Sequence, residues 1–177
     1  MRFSVLLIAG TLVVAGETYG QGINDAQIAA IVVTANQVDV DAGKLAQHRA
    51  SNSEVKKFAA LMVSDHEGVN KQAVALATRL KVTPQENDTS RALKAGGDKN
   101  AAHLKTLSGA AFDKAYVDHE VAYHAQVLDA LDTTLIPGAS NAELKALLVK
   151  VRPAFVAHLQ HAKHLQASLD ASRRDRP

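Results

Sequence analysis

The chain contains no cysteine and no tryptophan, and aromatic residues fill only 4% of its 177 positions. Without cysteine there are no disulfides, no thiolate nucleophile and no thiolate metal ligand. Any bound metal must therefore be held by nitrogen and oxygen. With hydrophobic residues still at 47%, the core has to be built from Ala, Leu and Val, which suits close-packed helices better than sheets. An excess of one charge is also lacking: the formal net charge is +2 and the basic residues are scattered. Phosphate binding needs a concentrated basic face, so nucleic acid is not expected as a partner. There is no Gly-x-Ser-x-Gly elbow and no phosphate-cradling glycine loop, Gly96-Gly97 being a turn signal only.

No apolar run reaches the ~20 residues of a membrane-spanning helix. The N-terminus instead reads as a signal peptide: Met1-Arg2 is a short positive region, Phe3 to Ala15 (FSVLLIAGTLVVA) is uncharged and mostly apolar, and small residues follow. Cleavage is expected after Gly16 or Gly20, so that the mature chain begins between Glu17 and Ile23. No cysteine follows the run, which excludes lipid modification. The expected compartment is the periplasm or cell envelope, and the mature chain is not expected to be an integral membrane protein. The division is a signal peptide at 1–20, one helical domain at 21–172, and a basic tail at 173–177.

Apolar residues recur at helical spacing in four segments. Helix one is expected from Asp25 to Arg49 with Asn24 as its cap, and helix two from Glu54 to Leu80 after a break at Ser51–Ser53. Helix three is expected from Ala110 to Leu131, and helix four from Asn141 to Leu169 after a turn through Pro137-Gly138, capped by Ser140 or Asn141. Pro153 inside helix four predicts a kink. The long connection Lys81–Gly109 should hold short helices at Ser90–Ala95 and Lys99–Leu107, interrupted at Gly96-Gly97. The order of short loop, long connection and short loop predicts an all-α, ferritin-like antiparallel four-helix bundle in which helices two and three lie parallel. An up-down-up-down bundle with a decorated loop is the alternative.

Four polar residues interrupt the apolar stripes, one per helix: Asp39, His66, His124 and His158. Three imidazoles and a carboxylate meeting in one layer would suit zinc, iron, copper or manganese. Counted from the expected loops, Asp39 and His66 align, whereas His124 and His158 require an adjustment at the loop or at Pro153. Glu120, Asp65, Tyr116 and Asp113 are candidates for the surrounding shell, with Asp113 a possible partner of the Tyr116 hydroxyl. The competing reading is a hydrogen-bonded polar core without metal. His158, His161 and His164, with His119 and His103, form a candidate surface band for adventitious copper or zinc.

The segments VKKFAALMVSDH (Val55–His66), FDKAYVDHEVAYH (Phe112–His124) and RPAFVAHLQHA (Arg152–Ala162) resemble the DUF4142 family. These are exported bacterial proteins of unknown function, often labelled outer membrane proteins, and the resemblance extends from about Asp25 to Leu169. It implies a ferritin-like fold and no established activity. Asp39 stands where that family more often has Glu, and His66, Phe112, Asp113, Tyr116, His124, Pro153 and His158 match recurring positions. The chain departs from di-iron bundles, which use Glu-x-x-His on two helices; here Glu120 and His124 are four apart, so ferroxidase chemistry is not expected.

Three readings follow: an envelope bundle with a metal ion or polar network in its core, a metal-dependent oxidoreductase or hydrolase at the same residues, and a structural module without a site. Substrate, partner and metal identity are not specified by the sequence, and a homo-oligomer stays open.

Overall fold

Asparagines open four of the long helices. Asn24, Asn52, Asn87 and Asn141 each accept first-turn backbone N–H bonds through the side-chain oxygen, satisfying donors that have no partner within the helix. The structure, a computed structural model, describes residues 22–174. The expected signal peptide and residues 175–177 of the basic tail lie outside the described residues. Helix α1 spans Asp25–Arg49, α2 Ser53–Leu80, α3 Asp88–Lys105 and α4 Gly109–Ala130, followed by a π-helical turn at Leu131–Leu135, the short α5 at Ile136–Gly138, and α6 at Ala142–Arg174. No strand occurs among the described residues. None of their helices is long and apolar enough to cross a membrane.

The connection after α2 differs from expectation. In place of two short helices, α3 runs unbroken for 18 residues through Gly96-Gly97. Glycine weakens a helix by about 1 kcal/mol, but Gly97 is where α3 presses on α1. A Cβ there would meet both Val38 methyl carbons at 2.7 Å, so the contact demands glycine and tertiary packing outweighs propensity. The third rod also exceeds its expected end at Leu131, continuing through the π-turn and α5 to Gly138. Pro137 lies one residue before the end of this rod, and the reversal moves to Ala139–Asn141. Helix α6 passes through Pro153 unbroken. Val149, whose carbonyl the proline leaves unpaired, is on the exposed face, where water can serve it.

Directions follow from contacts at the two ends. Helix α3 descends beside α1: the Gln85 N–H donates to the Ala26 carbonyl at 2.9 Å near the top, Gly97 faces Val38 midway, and Leu104 is buried with Ala46 and Ala50 at the bottom. Helix α4 starts at the bottom, where the Asp113 carboxylate accepts from the Ser51 and Asn52 backbone N–H groups at 2.8 and 2.9 Å. Helix α6 starts at the top, where Asp25 accepts from the backbone of Ser140 and Asn141. Hence α2 and α4 both ascend, and α3 is a helical crossover between two antiparallel hairpins, α1–α2 and α4–α6. This is the one-crossover topology of ferritin-like bundles.

The core is divided. An upper apolar block contains Ile28, Ile31, Leu76, Leu131, Leu148 and Phe155, and a lower one contains Ala46, Val55, Phe58, Met62, Phe112 and Ala162. Between them lies a buried polar layer.

Candidate metal centre

The polar layer is assembled by all four bundle helices. Helix α1 contributes Asn36 and Asp39, α2 His66, α4 Glu120 and His124, and α6 His158, each at most 4% exposed. His66, His124 and His158 each offer one donor atom, and these atoms lie within 4.8 Å of one another; the same holds for Asp39, Glu120 and His124. The four residues that interrupt the stripes are thus brought together. The offset counted for His124 and His158 disappears because the third rod continues to Gly138: the two histidines lie 16 residues before and 18 after Ser140.

The hydrogen-bond partners orient each imidazole. Asn36 donates its amide nitrogen to the Val32 carbonyl at 2.7 Å, which turns its amide oxygen to His66 Nδ1, also at 2.7 Å. His66 therefore carries its hydrogen on Nδ1 and directs Nε2 inward. His124 Nδ1 donates to the Glu120 backbone carbonyl at 3.0 Å and lies 3.4 Å from Glu120 Oε2. Both neighbours are acceptors, so Nε2 is again the bare nitrogen. His158 donates Nε2–H to Asp65 Oδ2 at 2.9 Å, leaving Nδ1 bare. His66 Nε2, His124 Nε2 and His158 Nδ1 are all buried without a hydrogen-bond partner. One nitrogen of each ring is anchored and the other is left without a partner.

The carboxylates are equally unsatisfied. Both oxygens of Asp39 and both of Glu120 are buried without a hydrogen-bond partner. Asp39 Oδ2 is 3.1 Å from His66 Nε2 and 3.6 Å from His124 Nε2, so it faces lone pairs. Burial pushes Glu120 up to about 7, and burial with the neighbouring Glu120 charge raises Asp39 well above the usual carboxylate range. Burial, reinforced by the neighbouring histidines, pushes His66 down to about 2. His158 is also lowered by burial, with the Asp65 bond opposing. The buried Tyr116 hydroxyl resists ionisation, through burial and then the Glu120 and Asp39 charges. A buried site of bare imidazole nitrogens and crowded carboxyl groups is thus compatible with a transition-metal ion.

The expected surroundings are redistributed. Asp65 supports His158, and Glu120 belongs to the donor layer itself. Asp113 stands apart, tying the α1–α2 loop to the foot of α4; it does not pair with Tyr116. The surface histidine band is not assembled: among the described residues the only groups with metal-ligand spacing are the two in the core. His161 packs edge-on against Phe58, and His119 stacks on Tyr123. Sequence reasoning passed over Asn36, although the i, i+4 series Val32, Asn36, Val40 marks it as another polar break in the α1 stripe.

Comparison with known proteins agrees with this architecture. The family described as a domain of unknown function, DUF4142, matches residues 14–165. No protein of curated function matches the sequence. The structure of CopM in the Cu(II)-bound form is similar, with a TM-score of 0.65 over 83% of this chain and 98% of that one, at 16% identity. At that identity the likeness concerns the fold.

Proposed function

The chain belongs to the DUF4142 family, and from that premise we propose that its bundle core binds one divalent transition-metal ion. The ligands are His66 Nε2, His124 Nε2, His158 Nδ1 and Asp39 Oδ2, with Glu120 alongside. The observation that carries this reading is the orientation of the three rings. Metal-binding histidines characteristically donate the second ring N–H to a carboxylate, carbonyl or water, and here two carbonyl oxygens, of the Asn36 amide and the Glu120 backbone, and the Asp65 carboxylate are the acceptors. A tetrahedral site with bonds of ~2.1 Å places neighbouring ligand atoms roughly 3.4 Å apart. The Asp39 oxygen, at 3.1 and 3.6 Å from two of the nitrogens, brackets that spacing.

Charge and donor type favour the same reading. Asp39 and Glu120 ionised together would leave two negative charges in a buried layer, and a divalent cation balances both. A metal-free polar network would have to protonate these carboxyl groups to supply donors to the bare nitrogens, and an unpaired buried polar group costs about 1–3 kcal/mol. Three nitrogens and an oxygen place copper(II) and zinc ahead of iron(II) and manganese in affinity. That a bundle of similar fold, CopM, exists in a Cu(II)-bound form adds support for copper. The apolar N-terminal run after Met1-Arg2 supports a role outside the cytoplasm.

The test is metal titration of untagged protein against a chromophoric chelator. Wild type should take up one ion of copper(II) or zinc per chain, and His124→Ala none. A wild type that binds no metal, or a variant that binds as well as wild type, would overturn the assignment.

A further inference from the structure

A cavity of about 290 Å³ lies in the upper half of the bundle. Thr89 on the crossover helix, with Gln126 and Thr134 on the opposite wall, are exposed and form a polar rim. Below the rim the walls are apolar, with Ile31, Val69, Leu131, Leu148 and Val151 buried. The π-turn supplies part of that wall through Leu131, Thr134 and Leu135; such turns occur frequently at functional sites.

The inner polar groups are already engaged. The Tyr123 hydroxyl donates to the Ala35 carbonyl at 2.9 Å, and the Asn36 amide is divided between Val32 and His66. Among the described residues no charged side chain lines the cavity. An occupant consequently finds no ionic partner and no free polar anchor below the rim. Water is poorly served in such a space, because a buried water needs two to four polar partners. The volume is roughly twice that of an apolar cavity known to take up benzene.

We propose that this cavity binds a small, uncharged, apolar molecule, an alkylated aromatic or branched hydrocarbon whose single hydroxyl or carbonyl, where present, lies at the Thr89–Gln126–Thr134 rim. The site is separate from the donor atoms of the polar layer and does not depend on a metal there. The two adjoin at Phe155, which lines the cavity and whose ring centroid is 5.0 Å from that of His66.

The probe is isobutylbenzene, titrated calorimetrically into the purified protein, with benzoate as a smaller, anionic aromatic for comparison. Isobutylbenzene should bind saturably, one molecule per chain, and benzoate should not. Ala130→Trp and Val127→Trp, which fill the cavity from α4, should each weaken binding by at least about tenfold, or 1.4 kcal/mol, with helix content retained. Should either variant fail to fold, intermolecular NOEs in wild type decide: contacts to Leu148 and Val151 methyl groups support the site. Absence of saturable binding, benzoate binding equally well, affinity unchanged in both folded variants, or NOEs only to methyl groups elsewhere would overturn it.

Discussion

Asn36 supplies no donor atom to the centre, yet it decides which nitrogen of His66 is available. Removing such an outer partner commonly costs 10–100-fold in metal affinity. Asn36→Ala should therefore bind copper(II) or zinc about 10–100-fold more weakly while keeping one-to-one stoichiometry, measured by chelator competition; unchanged affinity would remove Asn36 from the site. Glu120 gives a second prediction, for the metal-free protein. Its ordinary value of 4.5 is raised to about 7 in the fold. Between those values the folded chain holds a proton that the unfolded chain has released, so this residue's contribution to stability declines as pH rises through that window. Each unit corresponds to about 1.4 kcal/mol. Glu120→Gln should gain on wild type by on the order of 2–3 kcal/mol between pH ~4.5 and ~7.5, read from urea denaturation. A difference that stays constant with pH would show that the fold does not raise the Glu120 carboxyl.

Adjacent glycines in α3 separate intrinsic helix propensity from packing. A Cβ on Gly96 meets nothing within 4 Å, whereas on Gly97 it meets Val38 at 2.7 Å. Gly96→Ala should raise stability by about 0.5–1 kcal/mol, the usual helix gain. Gly97→Ala should lower it, because the branched Val38 side chain has little freedom to yield. Thermal melts of the pair that move in the same direction would contradict this account. The same contact explains why α3 was not legible as one helix: local propensity reads a glycine pair as a break, and the compensating neighbour is some sixty residues away. Helix α1, its Asn24 cap and nearly all of α2 were legible, since stripes and caps are local signals. So were Asp39, His66, His124 and His158, each a polar break in an apolar stripe. What nitrogen each ring presents was not, because Asn36 and Asp65 impose it across helix boundaries. Nor was the place of Asp113, whose partners Ser51 and Asn52 belong to the other hairpin. The alignment of His124 with His158 depended on a rod extended by a π-turn, which periodicity alone does not announce.

At the scale of the molecule, a ligand that binds only the folded state stabilises it by mass action. A free metal concentration a hundredfold above its dissociation constant would add about 2.7 kcal/mol, raising the melting temperature of wild type and leaving that of His124→Ala in place. The crossover has a separate consequence. The α1–α2 hairpin with α3 carries Asp39 and His66, while the α4–α6 hairpin carries Glu120, His124 and His158, and the exposed Ser108 lies between the two groups. Neither part holds a full ligand set. Chain cleaved after Ser108 would give two complementary fragments joined by the shared apolar blocks and by the metal: gel filtration should show a complex that zinc or copper(II) strengthens and EDTA weakens. A complex indifferent to EDTA would mean that apolar packing alone joins the halves. If the metal does join them, this single polypeptide is in effect a tethered heterodimer, and the same cut would turn it into a reporter of free metal.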